Sequence, residues 1–209
     1  MKTWCYLARL NKHSRRNNGP HINLDNRHAF VMHVTYMIVL DVSIIILLGK
    51  INLLETFVLT FSGRVLISEK VRDEISVKET EENPLIVKLI KDKKMQVLKV
   101  KNGKLIKKLM GDFNIEIGEA ETIVLALQEK ASIVATDDRN AIRACKILKI
   151  DFTTAIAILI RAFEKNLIDK DEALIKLRKL DSVARYRREI VEDARGRIEG
   201  GDGHVNKNT

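Results

Sequence analysis

The chemistry that this chain could perform is concentrated in a few acidic side chains. Asp41 follows directly after the apolar run of residues 37–40, and Asp137 and Asp138 come shortly after a second apolar run, residues 131–135. Carboxylate oxygens are the protein ligands that hard divalent cations such as Mg²⁺ and Mn²⁺ prefer. Acidic residues at the ends of predicted buried strands therefore indicate a candidate cation site.

The distribution of histidine and cysteine excludes most other chemistries. All five histidines lie outside residues 37–200, and this segment contains a single cysteine, Cys145. Ser-His-Asp and Cys-His catalysis are therefore unavailable there, and so is a zinc site built from His and Cys. Any catalysis must rely on carboxylates, Lys, Arg and hydroxyl groups. Two cysteines in the whole chain cannot form a disulfide framework, so a reducing, cytoplasmic setting is expected.

Ordinary structural roles could account for some of these acids. Glu119 falls in the first turn of a predicted helix, where a carboxylate favours the helix dipole. Asp138 could cap a helix, and Glu74 could be a solvated surface charge. Asp41 is harder to explain in this way, because an ionisable group at an apolar strand-to-helix junction is costly to bury without a partner. That partner must be Lys, Arg, backbone N–H groups or a metal.

The chain is basic overall. Lys and Arg number 37 against 28 Asp and Glu, which gives a net charge of +9, and residues 1–36 hold six basic residues against one acidic residue. This excess favours an anionic partner, nucleic acid first and a membrane surface second. Aromatic residues make up only 5% of the chain, so an RNA-binding surface built on base stacking is not expected.

Apolar runs and helical spacing alternate along the chain. Helices are predicted between strands that lie near residues 37–40, 64–67, 95–100, 131–135 and 150–152. This alternation is typical of a parallel sheet covered by helices on both faces, in which function gathers beyond the carboxyl ends of the strands. The predicted fold class is α/β, a three-layer α/β/α sandwich with a central parallel sheet, followed by a C-terminal helical extension.

The chain divides into four predicted segments. They are a basic, disordered arm, an α/β domain, a helical extension and a disordered tail, at residues 1–36, 37–167, 168–199 and 200–209. Met37 begins the first strand and could be the true translation start. No membrane span is expected, because the most apolar run, residues 37–48, is shorter than the ~20 residues of a span and contains Asp41.

Three acidic segments occur in a specific order along residues 37–167. They are MIVLD ending at Asp41, IGEAETIVLA at residues 117–126, and ASIVATDDRNA at residues 131–141. In this order they resemble the PIN domain, the small nuclease fold of VapC-like toxin ribonucleases and related archaeal and bacterial proteins. The second and third segments together are fairly specific for this family.

The resemblance implies a set of site residues. PIN domains use three or four acidic residues to bind Mg²⁺ or Mn²⁺ and to hydrolyse phosphodiesters, usually in RNA. By match, the catalytic acids are Asp41, Glu74, Glu121 and Asp138. The implied metal ligands are Asp41, Glu121, Asp137 and Asp138. Hydroxyl groups in supporting positions belong to Ser43 and Thr136. Basic candidates for holding the RNA backbone are Arg139 and Arg143.

Two of these assignments involve a choice between neighbours. Glu119 and Glu121 are two residues apart on a helix, about 200° around its axis, so only one can point squarely at the site, and Glu121 is chosen. The family's Thr-x-Asp spacing selects Asp138 as the fourth acid and leaves Asp137 for a supporting contact, although some branches keep both acids.

The resemblance implies a Mg²⁺- or Mn²⁺-dependent endoribonuclease, with the toxin of a toxin–antitoxin pair as a candidate role. The implied partners are RNA, a small antitoxin protein and a second copy of the chain in a homodimer. The alternative is a PIN-fold module that binds RNA or protein through an incomplete metal site, since Glu74 is the weakest assignment. A haloacid-dehalogenase-type phosphatase is disfavoured, because Ser43 occupies the position of its second Asp.

Overall fold

The computed structural model describes residues 36–77 and 82–200 of the chain. Their strands form one parallel sheet in the order β3-β2-β1-β4-β5, which puts β1 at the centre. The strands are β1 Tyr36–Leu40, β2 Gly63–Ser68, β3 Met95–Leu98, β4 Ile133–Ala135 and β5 Phe152–Thr153. Every neighbouring pair is parallel, as expected for strands that read as short continuous apolar runs. The predicted central parallel sheet is confirmed.

Helices cover both faces of this sheet. They are α1 Val42–Lys50, α2 Leu54–Thr60, α3 Glu69–Val77, α4 Asn83–Lys91, α5 Gly103–Phe113, α6 Ile117–Glu129, α7 Arg139–Leu148, α8 Ala155–Glu164, α9 Lys170–Val183 and α10 Arg188–Glu199. Successive residues of a strand face opposite sides. Ile38 and Leu40 accordingly pack with α1–α4 and α8–α10, whereas Val39 packs with α5–α7. These two apolar layers around one sheet confirm the predicted α/β/α sandwich.

The most apolar segment of the chain lies in the core. It forms the end of β1 and then α1, where Ile44, Ile45 and Leu48 are fully buried. Within the described ranges no single helix is long and apolar enough to cross a membrane. The pair α1 and α2 satisfies that test together, but the two helices are bent by 115° at their junction.

The C-terminal helical extension shares the core of the sandwich. Leu177 and Leu180 of α9 and Ile198 of α10 belong to the same buried cluster as β1 and α1. The ammonium of Lys176, only 8% exposed, donates to the carbonyls of Ile51 at 2.7 Å and Asn52 at 3.0 Å, just beyond α1. The extension is therefore held by apolar packing and by a buried cation that satisfies carbonyls left open at a helix end.

Several sequence predictions concern residues that lie outside the described ranges. The arm predicted for residues 1–36 and the tail predicted for 200–209 fall almost entirely outside them. The spacing of residues 69–82 predicts one helix and Pro84 predicts the start of the next, near residues 84–93; α3 begins at Glu69 and α4 at Asn83, and residues 78–81 lie outside the described ranges. Pro84 lies in the first turn of α4, where its missing N–H costs no helical hydrogen bond.

Candidate active site

Asp41 lies at the carboxyl end of the central strand and is 1% exposed. Its Oδ1 accepts the Val42 N–H at 2.8 Å, and its Oδ2 accepts the hydroxyls of Ser43 at 2.7 Å and Thr136 at 3.1 Å. Burial raises the pKa of Asp41 despite these three donors, and the negative charge of Asp138 adds to the rise. No Lys or Arg of the described residues forms an ion pair with this carboxylate, so only neutral donors compensate its charge.

The Thr136–Asp138 segment reaches Asp41 because β4 is the neighbour of β1 in the sheet. The Thr136 hydroxyl donates to Asp41 and accepts the N–H of Asp138 at 3.2 Å, which links the two acidic positions through one side chain. Asp138 is the N-cap of α7, where its Oδ1 accepts the Ala141 N–H at 2.7 Å. No described residue donates a hydrogen bond to its Oδ2, so this oxygen is available to a cation.

Asp137 makes a different set of contacts. Its Oδ2 accepts the N–H of Ala155 at 3.0 Å, in the first turn of α8, and its Oδ1 accepts the hydroxyl of Tyr186 at 2.8 Å. Burial raises the pKa of Asp137, the two donors oppose the rise, and the charge of Asp41 adds to it. Protein donors thus engage both oxygens of Asp137, whereas Asp138 commits one oxygen to its helix.

Glu119 belongs to the same acidic group. Burial raises the pKa of Glu119 to about 7, and the negative charges of Asp138 and Asp41 contribute to the rise. Glu119 also closes a capping box at the start of α6, where its Oε2 accepts the Glu116 N–H at 2.7 Å. Glu119 thus lies in the first turn of a helix, as expected, and the charges of the two aspartates also act on its carboxylate.

Glu121 faces a different neighbour. Its Oε2 lies 3.4 Å from the backbone nitrogen of Lys70, in the first turn of α3. The structure therefore brings Glu119 into electrostatic contact with the aspartates and turns Glu121 towards α3. The assignment of the third acid to Glu121 stays a prediction, and the geometry makes Glu119 its direct competitor.

Glu74 lies against the start of α6. A Cβ added at Gly118 would be 2.7 Å from Glu74 Oε1, so the carboxylate occupies the space that a side chain at Gly118 would need. Lys70 forms an ion pair with Glu74 at 3.9 Å. Gly118 directly precedes Glu119 in the chain, so the Glu74 carboxylate lies near the start of the helix that carries Glu119.

The acidic group fits a partly hydrated divalent cation. Within residues 36–77 and 82–200 no three His, Cys, Asp or Glu side chains converge closely enough to form a ready ligand cage. Mg²⁺ seldom needs one, since it usually keeps several waters and binds through one or two carboxylates. Burial and the charges of Asp41 and Asp138 raise the pKa of Glu119, and a divalent cation bound by these carboxylates would offset the repulsion between them.

The two predicted RNA-backbone residues differ in their surroundings. The Arg143 guanidinium lies 5.9 Å from the centre of the Phe113 ring, a cation–π contact that holds it on the α5 side of the sheet. Arg139, exposed at the first residue of α7, lines a cavity that also contains Asp137 and Asp138. The geometry therefore puts Arg139 beside the acidic group.

Sequence reasoning gave no part to Tyr186 in the site. Tyr186 lies 49 positions after Asp137 in the chain, and no local motif connects them. Only the packing of the C-terminal extension on the sandwich brings the two side chains together.

The fold and the acidic edge of the sheet together define a class, the PIN-like α/β/α domain. A family model described as PIN domain (DUF3368) matches residues 37–199, and the chain belongs to this family. PIN domains are generally nucleases. The chain is also similar to a solved structure described as VapBC2 from Rickettsia felis bound to a DNA fragment from their promoter. That similarity has 16% identity and a TM-score of 0.39, and it covers 56% of this chain and 98% of the other. No curated protein matches the sequence.

Proposed function

We propose that this PIN-domain protein is a Mg²⁺- or Mn²⁺-dependent endoribonuclease. The observation that carries the proposal is the group of acids at the carboxyl edge of the sheet, where Thr136 links Asp41 to Asp138 by hydrogen bonds and burial and the charges of both aspartates raise the pKa of Glu119. Three carboxylates held together in a partly buried site repel one another, and a divalent cation removes that penalty. The basic excess of the chain favours a polyanionic substrate such as RNA.

The residues of the site would have two roles: some would bind the cation, and others would orient the carboxylates that bind it. Asp41, Asp138 and Glu119 would hold the cation, with Glu121 and Asp137 as the other candidates. When bound, the ion supplies Lewis-acid stabilisation of the negative charge that develops on the scissile phosphate. Ser43 and Thr136 keep the Asp41 carboxylate in one orientation through their two hydrogen bonds to Oδ2.

Paired variants of the two glutamates test this site. Glu119→Gln should fold, since Gln can replace Glu in a capping box, but should lose cleavage of a fluorogenic RNA by at least a factor of ten. Glu121→Gln is the matched control, with the same chemical change two residues away. If Glu121→Gln loses RNA cleavage completely and Glu119→Gln stays active, the third acid of the site is Glu121. Two fully active variants would remove α6 from the site.

The pKa of Glu119 gives the proposal a pH dependence. A proton and a cation compete for this carboxylate, whose pKa is about 7. Mn²⁺ binding followed by calorimetry should therefore tighten as the pH rises from 6 to about 8. Glu119→Gln should flatten this dependence.

The second candidate function is a PIN-fold module that binds RNA or protein without cleaving it. The absence of a closed ligand cage among the described residues favours it. Calorimetry separates the two functions, because a binding module takes up no Mn²⁺ at the acidic edge of the sheet. A toxin role, a small antitoxin partner, a homodimer and a cytoplasmic location remain proposals that rest on the family resemblance.

A further inference from the structure

A cavity of about 850 Å³ adjoins the acidic group. Ser43, Asp137 and Asp138 line one part of it. Another part is lined by residues 184–187, the linker between α9 and α10. The cavity thus lies between the acidic edge of the sheet and the C-terminal extension.

The lining of this cavity combines cations with apolar side chains. Its basic residues are Lys50, Arg139, Arg185 and Arg187, and its apolar residues include Ile46, Leu47, Ile142 and Ile156. Guanidinium and ammonium groups bind phosphate oxygens, and an apolar surface accommodates the face of a nucleobase. The occupant that fits both features beside a group of carboxylates is a nucleotide of single-stranded RNA.

The linker has the conformation that this role requires. Ala184 and Arg187 have extended backbones, with φ and ψ of −116° and 150°, and of −71° and 146°. In an extended segment alternate side chains point to opposite sides. Ala184 and Tyr186 pack against the hydrophobic core, and Arg185 and Arg187 are exposed. Neither arginine forms an ion pair with a described residue, so both guanidinium groups are available to phosphate.

Tyr186 fastens the linker to the acidic group. Its hydroxyl donates to Asp137 Oδ1 at 2.8 Å, and the other oxygen of Asp137 accepts the Ala155 N–H. One carboxylate thus joins the linker to the first turn of α8. Burial and the charge of Asp137 raise the pKa of Tyr186 well above its ordinary value, so the hydroxyl stays protonated as a donor.

We infer that the linker of residues 184–187 is the outer wall of an RNA subsite next to the scissile phosphate. Arg185 and Arg187 bind the RNA backbone there. Tyr186 is a positioning residue: its hydroxyl holds Asp137 in place, and its ring, packed on the core, keeps the linker and its two arginines over the cavity. This inference rests on the proposed ribonuclease function and adds the extension to the substrate-binding surface.

RNA binding as a function of salt tests the arginines. The full chain carrying Asp41→Asn leaves RNA uncut, so its affinity for a short fluorescein-labelled single-stranded RNA can be measured by anisotropy. Each phosphate contact to single-stranded nucleic acid contributes about 0.7 to the slope of log K against log salt. Adding Arg185→Gln and Arg187→Gln should therefore reduce the slope by about 1.4. The matched control, Arg178→Gln with Arg195→Gln, removes the same charge outside this cavity.

Tyr186→Phe tests the positioning role. It keeps the aromatic ring that packs on the core and removes only the hydroxyl. Because the hydroxyl contacts Asp137 and carries no charge, kcat should fall about tenfold or more, with KM for RNA and the salt slope unchanged. The double arginine variant should show the opposite pattern, with a raised KM for RNA and a kcat that is nearly unchanged.

The outcomes separate this inference from the function on which it rests. If the Asp41→Asn chain does not bind RNA even at low salt, the inference is overturned, and if the wild type also fails to cleave RNA, the proposed function is overturned with it. If RNA binds and wild type cleaves it, but the double arginine variant has the same slope as its control, the inference alone is wrong. Wild-type kcat in Tyr186→Phe would overturn the positioning role. If the double arginine variant reduces the slope of log K against log salt but the wild type never cleaves RNA, the RNA subsite is supported and the nuclease function is refuted.

Discussion

Replacing Asp41 by Asn should separate the activity of this protein from its stability. The amide keeps the shape of the carboxylate and can still accept the Val42 N–H on its oxygen. Its NH₂ group can donate to the hydroxyls of Ser43 and Thr136, which act as donors or acceptors. The local hydrogen bonds therefore survive, and a buried negative charge disappears.

The removed charge sets the size of the effect on stability. Burial raises the pKa of Asp41 above 3.8, so the folded state favours the neutral acid. The stabilisation that comes from the neutral form is complete below pH 3.8 and is lost as the pH rises through the folded-state pKa. Single-residue changes typically alter the free energy of unfolding by about 1 kcal/mol, and a gain of that size would raise Tm by about 2–4 °C for a chain of this size.

Two measurements test this prediction. With chelator present, Asp41→Asn should melt higher than wild type at pH 7–8, and the difference should vanish near pH 3. RNA cleavage with Mg²⁺ or Mn²⁺ should fall to background. Undiminished cleavage, with contaminating nuclease excluded, would refute the assignment of Asp41 to the site. A lower Tm at neutral pH would refute the argument that its charge is poorly compensated.

Three further predictions concern the surroundings of Asp41. Asp138→Asn should lose activity by orders of magnitude with little change in Tm, since Asn also caps a helix well, whereas Asp137→Asn should keep part of its activity; the reverse ranking in the same cleavage assay would make Asp137 the fourth acid. Gly118→Ala should displace the Glu74 carboxylate and lower kcat with a Tm change of only about 3 °C or less, because the clash is with the end of a flexible side chain; a wild-type kcat would show that Glu74 has no part in cleavage. Removing residues 1–36 should leave a folded domain that binds Mn²⁺ as the full chain does, with at most a small fall in Tm from the loss of Tyr36, the first residue of β1; a large fall in Tm would show that this segment packs on the domain.

The fold could be predicted from the sequence because local pattern and tertiary environment agree. Strands buried on both faces read as apolar runs, and the helices between them have apolar residues at helical spacing. Asp41 was identifiable for the same reason, since a lone acid at the end of an apolar run has few structural explanations. The start of α3 at Glu69 agrees with the predicted helix, and the residues 78–81 that would test its predicted end lie outside the described ranges.

The details of the site depend on packing that no local pattern encodes. Glu119 and Glu121 differ only in rotation about α6, and the contact of α6 with α3 determines which carboxylate faces the aspartates. Asp138 was predicted at the site, but its use of Oδ1 as the α7 cap depends on how the chain leaves β4. Tyr186 was missed because its contact with Asp137 requires the extension to fold back on α8.

The buried ammonium of Lys176 and the apolar packing of α9 join the extension to the PIN-like sandwich. A protein shortened to residues 37–167 would leave the carbonyls of Ile51 and Asn52 without this donor and would expose the apolar face that α9 covers. Water can replace the donor at these two carbonyls once α9 is absent, so the main cost of the truncation is the exposed apolar area, at about 25 cal/mol per Å². Since α1 runs from Asp41 to the segment that Lys176 holds, sandwich and extension should unfold as a single cooperative unit.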